Sequence, residues 1–196
     1  MLVLGIDPGT AKTGYAVVED KLINYKKPSK REMEFDINLI EYGVIITKKQ
    51  VSMPYRLKTI ALKLEDIILK YSPQVIAIEQ IFFNANTKTA ISVGQARGVL
   101  LLLSAQFNIE VAEYTPLQIK QVLTGYGRAE KIQIQSMIKN ILNLKEIPKP
   151  NDAADAIAVS ICHILSAPFQ AKIKERDVLL YQGKTWGDKI RLNNFR

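Results

Sequence analysis

Two short apolar runs, each closed by a carboxylate, constrain this chain more than any other feature of its sequence. Leu2-Val-Leu-Gly-Ile6 stops at Asp7-Pro-Gly9, and Val75-Ile-Ala-Ile78 stops at Glu79. Apolar runs of this length, bounded by turn residues, read as buried strands. Asp7 and Glu79 are therefore expected at the rims of rigid strands.

The rest of the pattern surrounds these strands with further sheet and with helices. Tyr15 to Val18 is the expected hairpin partner of the first strand. Charge and turn residues fill Glu19 to Glu41, read as an extended hairpin loop, before Tyr42 to Thr47 resumes as a strand. Pro54 opens a helix whose apolar residues, Leu57, Ile60, Leu64, Ile67, Ile68 and Tyr71, recur at helical spacing. A second helix is expected from about Thr89 to Phe107, a strand from Ile109 to Glu113, and then a helix with Thr115 as N-cap and Gly125 as its end. Ile134, Met137, Ile138, Ile141 and Leu142 stripe a helix over Ile132 to Leu144, and Asn151 is the expected N-cap of a last helix over Asp152 to Leu165. Residues beyond Pro168 read as a basic tail, so the expected division is a domain over 1–167 and an extension over 168–196. This order of elements predicts an α/β domain, a mixed β-sheet flanked by α-helices. Ligands of such sheets lie at the carboxyl ends of strands, where Asp7 and Glu79 fall.

Asp152 and Asp155 stand three residues apart on the last helix, which puts both on one face. Four carboxylates can then converge, and because they repel, a hard divalent cation such as Mg²⁺ is the natural compensation. Two ions roughly 3.5–4 Å apart would orient a water and stabilise the attacking and leaving oxygens of a phosphodiester. Each acid also has a plainer reading. Asp152 can complement a helix N-terminus, Asp7 can serve its turn, and Glu79 or Asp155 can pair with a lysine. Asp7-Pro-Gly-Thr10 also invites comparison with the phosphate-binding turns of actin-like ATPases and sugar kinases. Gly5, Gly9 and Gly14 miss the P-loop spacing, however, and no Gly-Lys-Ser/Thr follows.

Bulk properties agree with a nucleic-acid enzyme without requiring one. The formal charge is +8, which favours a polyanionic partner through counterion release, or is simply a solvated basic surface. The lone cysteine, Cys162, lies in an apolar run and reads as core. The longest apolar stretch, Gly98 to Ala105, is too short to span a bilayer. With no basic leader ahead of the first strand, the expected location is cytoplasmic.

Four segments in order, Gly5-Ile-Asp-Pro-Gly9, Ala77-Ile-Glu-Gln80, Gly94-Gln-Ala-Arg-Gly98 and Asp152-Ala-Ala-Asp-Ala156, resemble those of the RuvC crossover-junction endodeoxyribonucleases, over residues 1 to about 166. The resemblance implies an RNase H-like fold, a homodimer, dependence on Mg²⁺ or Mn²⁺, and symmetric cleavage of four-way (Holliday) junction DNA leaving 5′-phosphate ends. It maps the acidic tetrad onto Asp7, Glu79, Asp152 and Asp155. It matches Lys120 and Lys131 to lysines important in the family, and it makes Phe82 a wedge at the junction, with Phe83 and Arg97 as further candidate DNA contacts. RuvA and RuvB become expected partners. His163 is not an expected ligand, since eight residues beyond Asp155 is about 12 Å along a helix. The charged stretch around Asp20 to Asn38 is longer than the family leads one to expect, and the tail from Pro168 lies outside the family core. Two rivals remain: an RNase H-like nuclease acting on RNA–DNA hybrids, and a non-catalytic junction-binding module.

Overall fold

The computed structural model describes residues 1–21, 36–80 and 87–182, and within them the apolar runs form one five-stranded sheet. β1 (Leu2–Asp7) pairs antiparallel with β2 (Lys12–Asp20), and β2 pairs antiparallel with β3 (Ile37–Ile46). On its other side β1 pairs parallel with β4 (Val75–Glu79), which pairs parallel with β5 (Glu110–Tyr114), giving the order β3-β2-β1-β4-β5. Parallel neighbours need crossovers. α1 (Met53–Tyr71) precedes β4, and α2 (Thr87–Gln106) joins β4 to β5. α3 (Pro116–Thr124), α4 (Lys131–Ile141) and α5 (Asn151–Gln182) follow.

Each face of the sheet buries a different kind of surface. On one face Leu4, Ile6, Val17, Ile45, Ile76 and Ile78 pack with Ile60, Leu64, Ile67 and Ile68 of α1 and with Leu100 and Leu103 of α2. The four α1 residues belong to the stripe that spacing predicted, and the burial of the whole cluster is the main stabilising term. The other face is nearly flat where α5 meets it. A Cβ on Gly5 would stand 2.0 Å from Ser160 Oγ and 2.2 Å from the Ala156 carbonyl oxygen, and one on Gly14 would stand 1.9 Å from the Asp152 carbonyl oxygen. Only residues without a side chain let the helix approach the strands this closely.

Several expectations are revised. β2 and β3 run further than Tyr15–Val18 and Tyr42–Thr47, because Val18, Glu19 and Asp20 pair with Leu39, Asn38 and Ile37 around a bulge at Val17/Val18. Charged residues are tolerated there since the ladder still satisfies the backbone. Residues 22–35 of the expected loop lie outside the described residues. Asn151 is not the cap of α5: Pro150 supplies the first carbonyl, accepting from Ala153 and Ala154 at 3.1 and 3.2 Å, while Asn151 Oδ1 accepts from Gln135 Nε2 at 3.0 Å. α5 also continues through Pro168 to Gln182. A proline removes one intrahelical bond, and the segment that follows it, Ala171-Lys-Ile-Lys-Glu-Arg176, is rich in helix formers. Two compact units result, Met1–Ile164 and Leu165–Arg196. Thr115, by contrast, caps α3 as read, with a reciprocal Gln118 bond, and Gly125 closes it at φ 73°.

Candidate active site

Strand register brings the first two acids together. Ile6 pairs with Ile78 in parallel, so the next residues, Asp7 and Glu79, end adjacent strands side by side on the face that α5 covers. Opposite Asp7 in β2 stands Gly14, the residue against which the Asp152 backbone packs. Asp155 follows one helical turn later. All four acids are thus delivered to one end of the sheet by two strand ends and the start of one helix.

Their electrostatics show that they share a field. The Asp7 carboxyl is pushed up to about 7, first by burial and then by Asp155, Glu79 and Asp152, with Lys131 acting against the shift. Glu79 is also raised, by burial and then by Asp155, with Lys131 and Lys120 opposing. Desolvation and like charge both disfavour the ionised form. Lysines intervene directly: Lys131 Nζ donates to Asp155 Oδ2 at 2.7 Å, and Lys12 Nζ stands 4.0 Å from Asp152 Oδ2. Among the described residues no three acidic, imidazole or thiol groups are drawn close enough to hold an ion as they stand. Convergence therefore extends to mutual repulsion but not to a preformed ligand cage. The donor set itself, hard oxygens crowded and partly stripped of water, suits a hard divalent cation.

A cavity of 260 Å³ opens beside Glu79 and Asp155, walled by Lys120 and Lys131 over Pro116, Ile119 and Ile134. A larger one, 380 Å³, lies near β3 and α1, but its central carboxylate, Glu41, is already bonded to Tyr15, Lys70 and Tyr71. The smaller cavity is the one that borders two of the four converging acids.

The other predicted residues separate clearly. Lys131 bonds to Asp155, while Lys120 lines the same cavity and acts on Glu79 through space. Arg97 on α2 is engaged by the Glu113 carboxylate of β5, each about one-third exposed. Phe82 and Phe83 lie outside the described residues. His163 is buried, with Nδ1 2.8 Å from Tyr114 Oη, and burial lowers its pKa; it is a packing residue, as its distance along the helix implied. Cys162 is fully buried. Lys12 was not anticipated, and only its place just after the Asp7 turn could have suggested it. Gly5 and Gly14, read only as failed phosphate-loop glycines, are what bring α5 to the strand ends. Among the described residues no helix is long and apolar enough to cross a membrane.

Comparison with known proteins bears on the family and the fold. The family described as crossover junction endodeoxyribonuclease RuvC matches residues 3–163. The crossover junction endodeoxyribonuclease RuvC of Caldicellulosiruptor saccharolyticus is 52% identical over 167 residues, covering 85% of this chain and 94% of that protein. The solved Thermus thermophilus RuvC structure superposes with a TM-score of 0.77 at 30% identity, covering 87% of this chain and 97% of that one. The same protein in complex with a Holliday junction substrate gives 0.75 at 28%, covering 86% and 96%. The RNase H-like sheet expected from the sequence is the sheet of these structures.

Proposed function

This chain belongs to the RuvC family of crossover junction endodeoxyribonucleases, and from that premise we propose that it resolves four-way DNA junctions by paired symmetric nicks in strands of like polarity, leaving 5′-phosphate and 3′-hydroxyl ends. The observation that carries the reading is the delivery of four acids to one sheet end, where Asp7 is held at about 7.

Enzymes of this family are metal-dependent nucleases. Asp7, Glu79, Asp152 and Asp155 would hold Mg²⁺, or Mn²⁺ in its place, with two ions per site. When bound, such ions activate water and stabilise the oxygens of the displaced phosphodiester. The chain's own groups do the rest. Asp7 and Glu79 sit at strand ends, so their backbone positions are set before substrate arrives, although among the described residues no ligand cage is preformed. Lys120 and Lys131 place point charges on phosphates flanking the cut, and the cavity between them takes the strand. Phe82 acts as the wedge that stacks on an unpaired base, with Phe83 beside it. Arg97, pinned by Glu113, offers its remaining N–H groups to the backbone of an adjacent arm.

A C₂ homodimer would present two such sites to strands related by the junction's own two-fold, which is why the nicks come in pairs. RuvA and RuvB are the partners this reading implies. Residues 1–167 are the nuclease, and 168–196, with Lys172, Lys174, Arg176, Lys184, Lys189, Arg191 and Arg196, form an accessory basic arm. Deleting 169–196 should weaken junction binding, and unchanged binding would remove the arm from the account.

The test is cleavage of a synthetic mobile junction against linear duplex and RNA–DNA hybrid, with Mg²⁺ or EDTA, using the native chain and Asp7→Asn. Symmetric, metal-dependent junction nicks lost in the variant are expected. Preferential hybrid cutting would reassign the substrate, and binding without cutting would reduce the protein to a junction-binding module.

A further inference from the structure

Lys131 is oddly placed for a residue concerned only with its own helix. It is the first residue of α4, directly after the N-cap Glu130, where the helix dipole is positive, a position that by itself disfavours a cation. Its ammonium instead reaches across to Asp155 Oδ2 at 2.7 Å and opposes part of the rise in the pKa of Asp7 and of Glu79. Lys12, from the start of β2, approaches Asp152 from the other rim at 4.0 Å. Both side chains are about half exposed. Pairs of that kind hold weakly, by about 0–1 kcal/mol.

We infer that these two lysines are exchangeable counter-cations: a divalent ion entering the tetrad displaces Lys131 from Asp155 and Lys12 from Asp152, and the freed ammonium groups pass to DNA phosphates. The inference rests on the metal site proposed above. Its physical basis is that Asp155 Oδ2 cannot keep an ammonium 2.7 Å away and also ligate an ion at roughly 2.0–2.1 Å without placing two cations against each other. Metal and DNA then bind cooperatively, because each removes a competitor of the other. Before the ion arrives, the same lysines offset part of the repulsion among the acids.

Lys120 supplies the control. It lines the same cavity and acts on Glu79 through space, so Lys120→Met removes an equal charge without removing an ammonium bonded to a ligand oxygen. Mn²⁺ affinity of the full-length protein would be measured without DNA, by calorimetry and by the electron paramagnetic resonance of free Mn²⁺. Lys131→Met is expected to tighten Mn²⁺ by about three- to fivefold and Lys12→Met by about twofold, with Lys120→Met below both. In Ca²⁺, the salt dependence of junction binding should steepen by about 0.9 for each lysine freed, and this increment should vanish in the Lys12→Met/Lys131→Met protein. Unchanged or weaker Mn²⁺ binding in Lys131→Met would overturn the exchange, as would a Lys120→Met effect of equal size. Asp155→Asn separates the premises: if it leaves Mn²⁺ binding intact, the metal-site assignment fails rather than the exchange.

Discussion

Glu41 on β3 accepts hydrogen bonds from Lys70 Nζ at 2.7 Å, from the Tyr71 hydroxyl and from Tyr15 Oη at 3.0 Å, whereas Asp7 at the end of β1 is surrounded by three other acids. The first carboxyl is held below its usual range, chiefly by Lys70 and then by Tyr71. The second is driven up to about 7, chiefly by burial. Both belong to one sheet and both touch its packing, so residue type and fold do not account for the contrast. What differs is the balance of donors to acids. One carboxylate with three donors is a closed structural joint, while acids in excess of donors leave charge for a cation to complete.

The largest effect should come from breaking the acid-rich side. Asp7→Asn is expected to cost metal-dependent junction cleavage roughly 10³-fold or more. Its effect on stability should have the opposite sign. Asp7 has a folded pKa of about 7 against 3.8 for the free group, so the fold prefers its neutral form; the associated stability is complete below pH 3.8 and is lost as pH rises through 7. In EDTA at pH 8 the variant should therefore be more stable than the native chain by roughly 1–4 kcal/mol, with the gain fading towards pH 4. Urea unfolding at the two pH values measures this, and a destabilised variant at pH 8 would sink the account of Asp7.

Next in size is a change that spoils the crowding without touching an acid. Gly14→Ala must displace α5, since its Cβ would meet backbone rather than a flexible side chain. A loss of about 1–3 kcal/mol is expected, together with weaker cleavage at saturating metal, because Asp152 moves with the helix. Normal stability and normal cleavage would mean that β2 and α5 separate at little cost.

A buried neutral pair lies between the two extremes. Tyr114→Phe leaves His163 Nδ1 without its 2.8 Å partner, for an expected loss of about 1–2 kcal/mol with cleavage retained. Thermal unfolding and a junction assay on the same protein decide it.

The smallest effect belongs to the closed joint. Glu41→Gln should cost at most about 1 kcal/mol, since its carboxylate is one-third exposed and such pairs are screened. Because the folded pKa is lowered, that stability is present above 4.5, the value of the free group, and is lost as pH falls through the lowered value. The difference between variant and native chain should shrink accordingly, with cleavage unchanged throughout. An activity loss here as large as that of Asp7→Asn would erase the distinction between the two clusters.

Much of the candidate site was legible in the chain because its members sit at points marked by local patterns, although each acid taken alone also had a plainer reading. Asp7 and Glu79 end β-rich runs, Asp152 and Asp155 share one helix face, and Thr115 with Pro116 and Gly125 bracket a helix by capping rules that act over a few residues. What was not legible involves partners far apart in sequence. Arg97 was read as a DNA contact with no sign of its bond to Glu113. Lys12 gave no signal of its approach to Asp152. The end of α5 was misjudged because Pro168 is a local stop signal, and here the flanking helix formers override it.

By itself, the sequence determined most of the strands, helices and caps and singled out the four acids as candidates, because periodicity, turn chemistry and motif order are properties of neighbouring residues. Only the tertiary structure decided that Asp7 and Glu79 lie side by side and that α5 rests on Gly5 and Gly14. It likewise decided that lysines from β2 and α4 stand against Asp152 and Asp155. Strand register and the close approach of a helix to a sheet are contacts between distant segments, and the balance of charge that separates Asp7 from Glu41 exists only after those contacts are made.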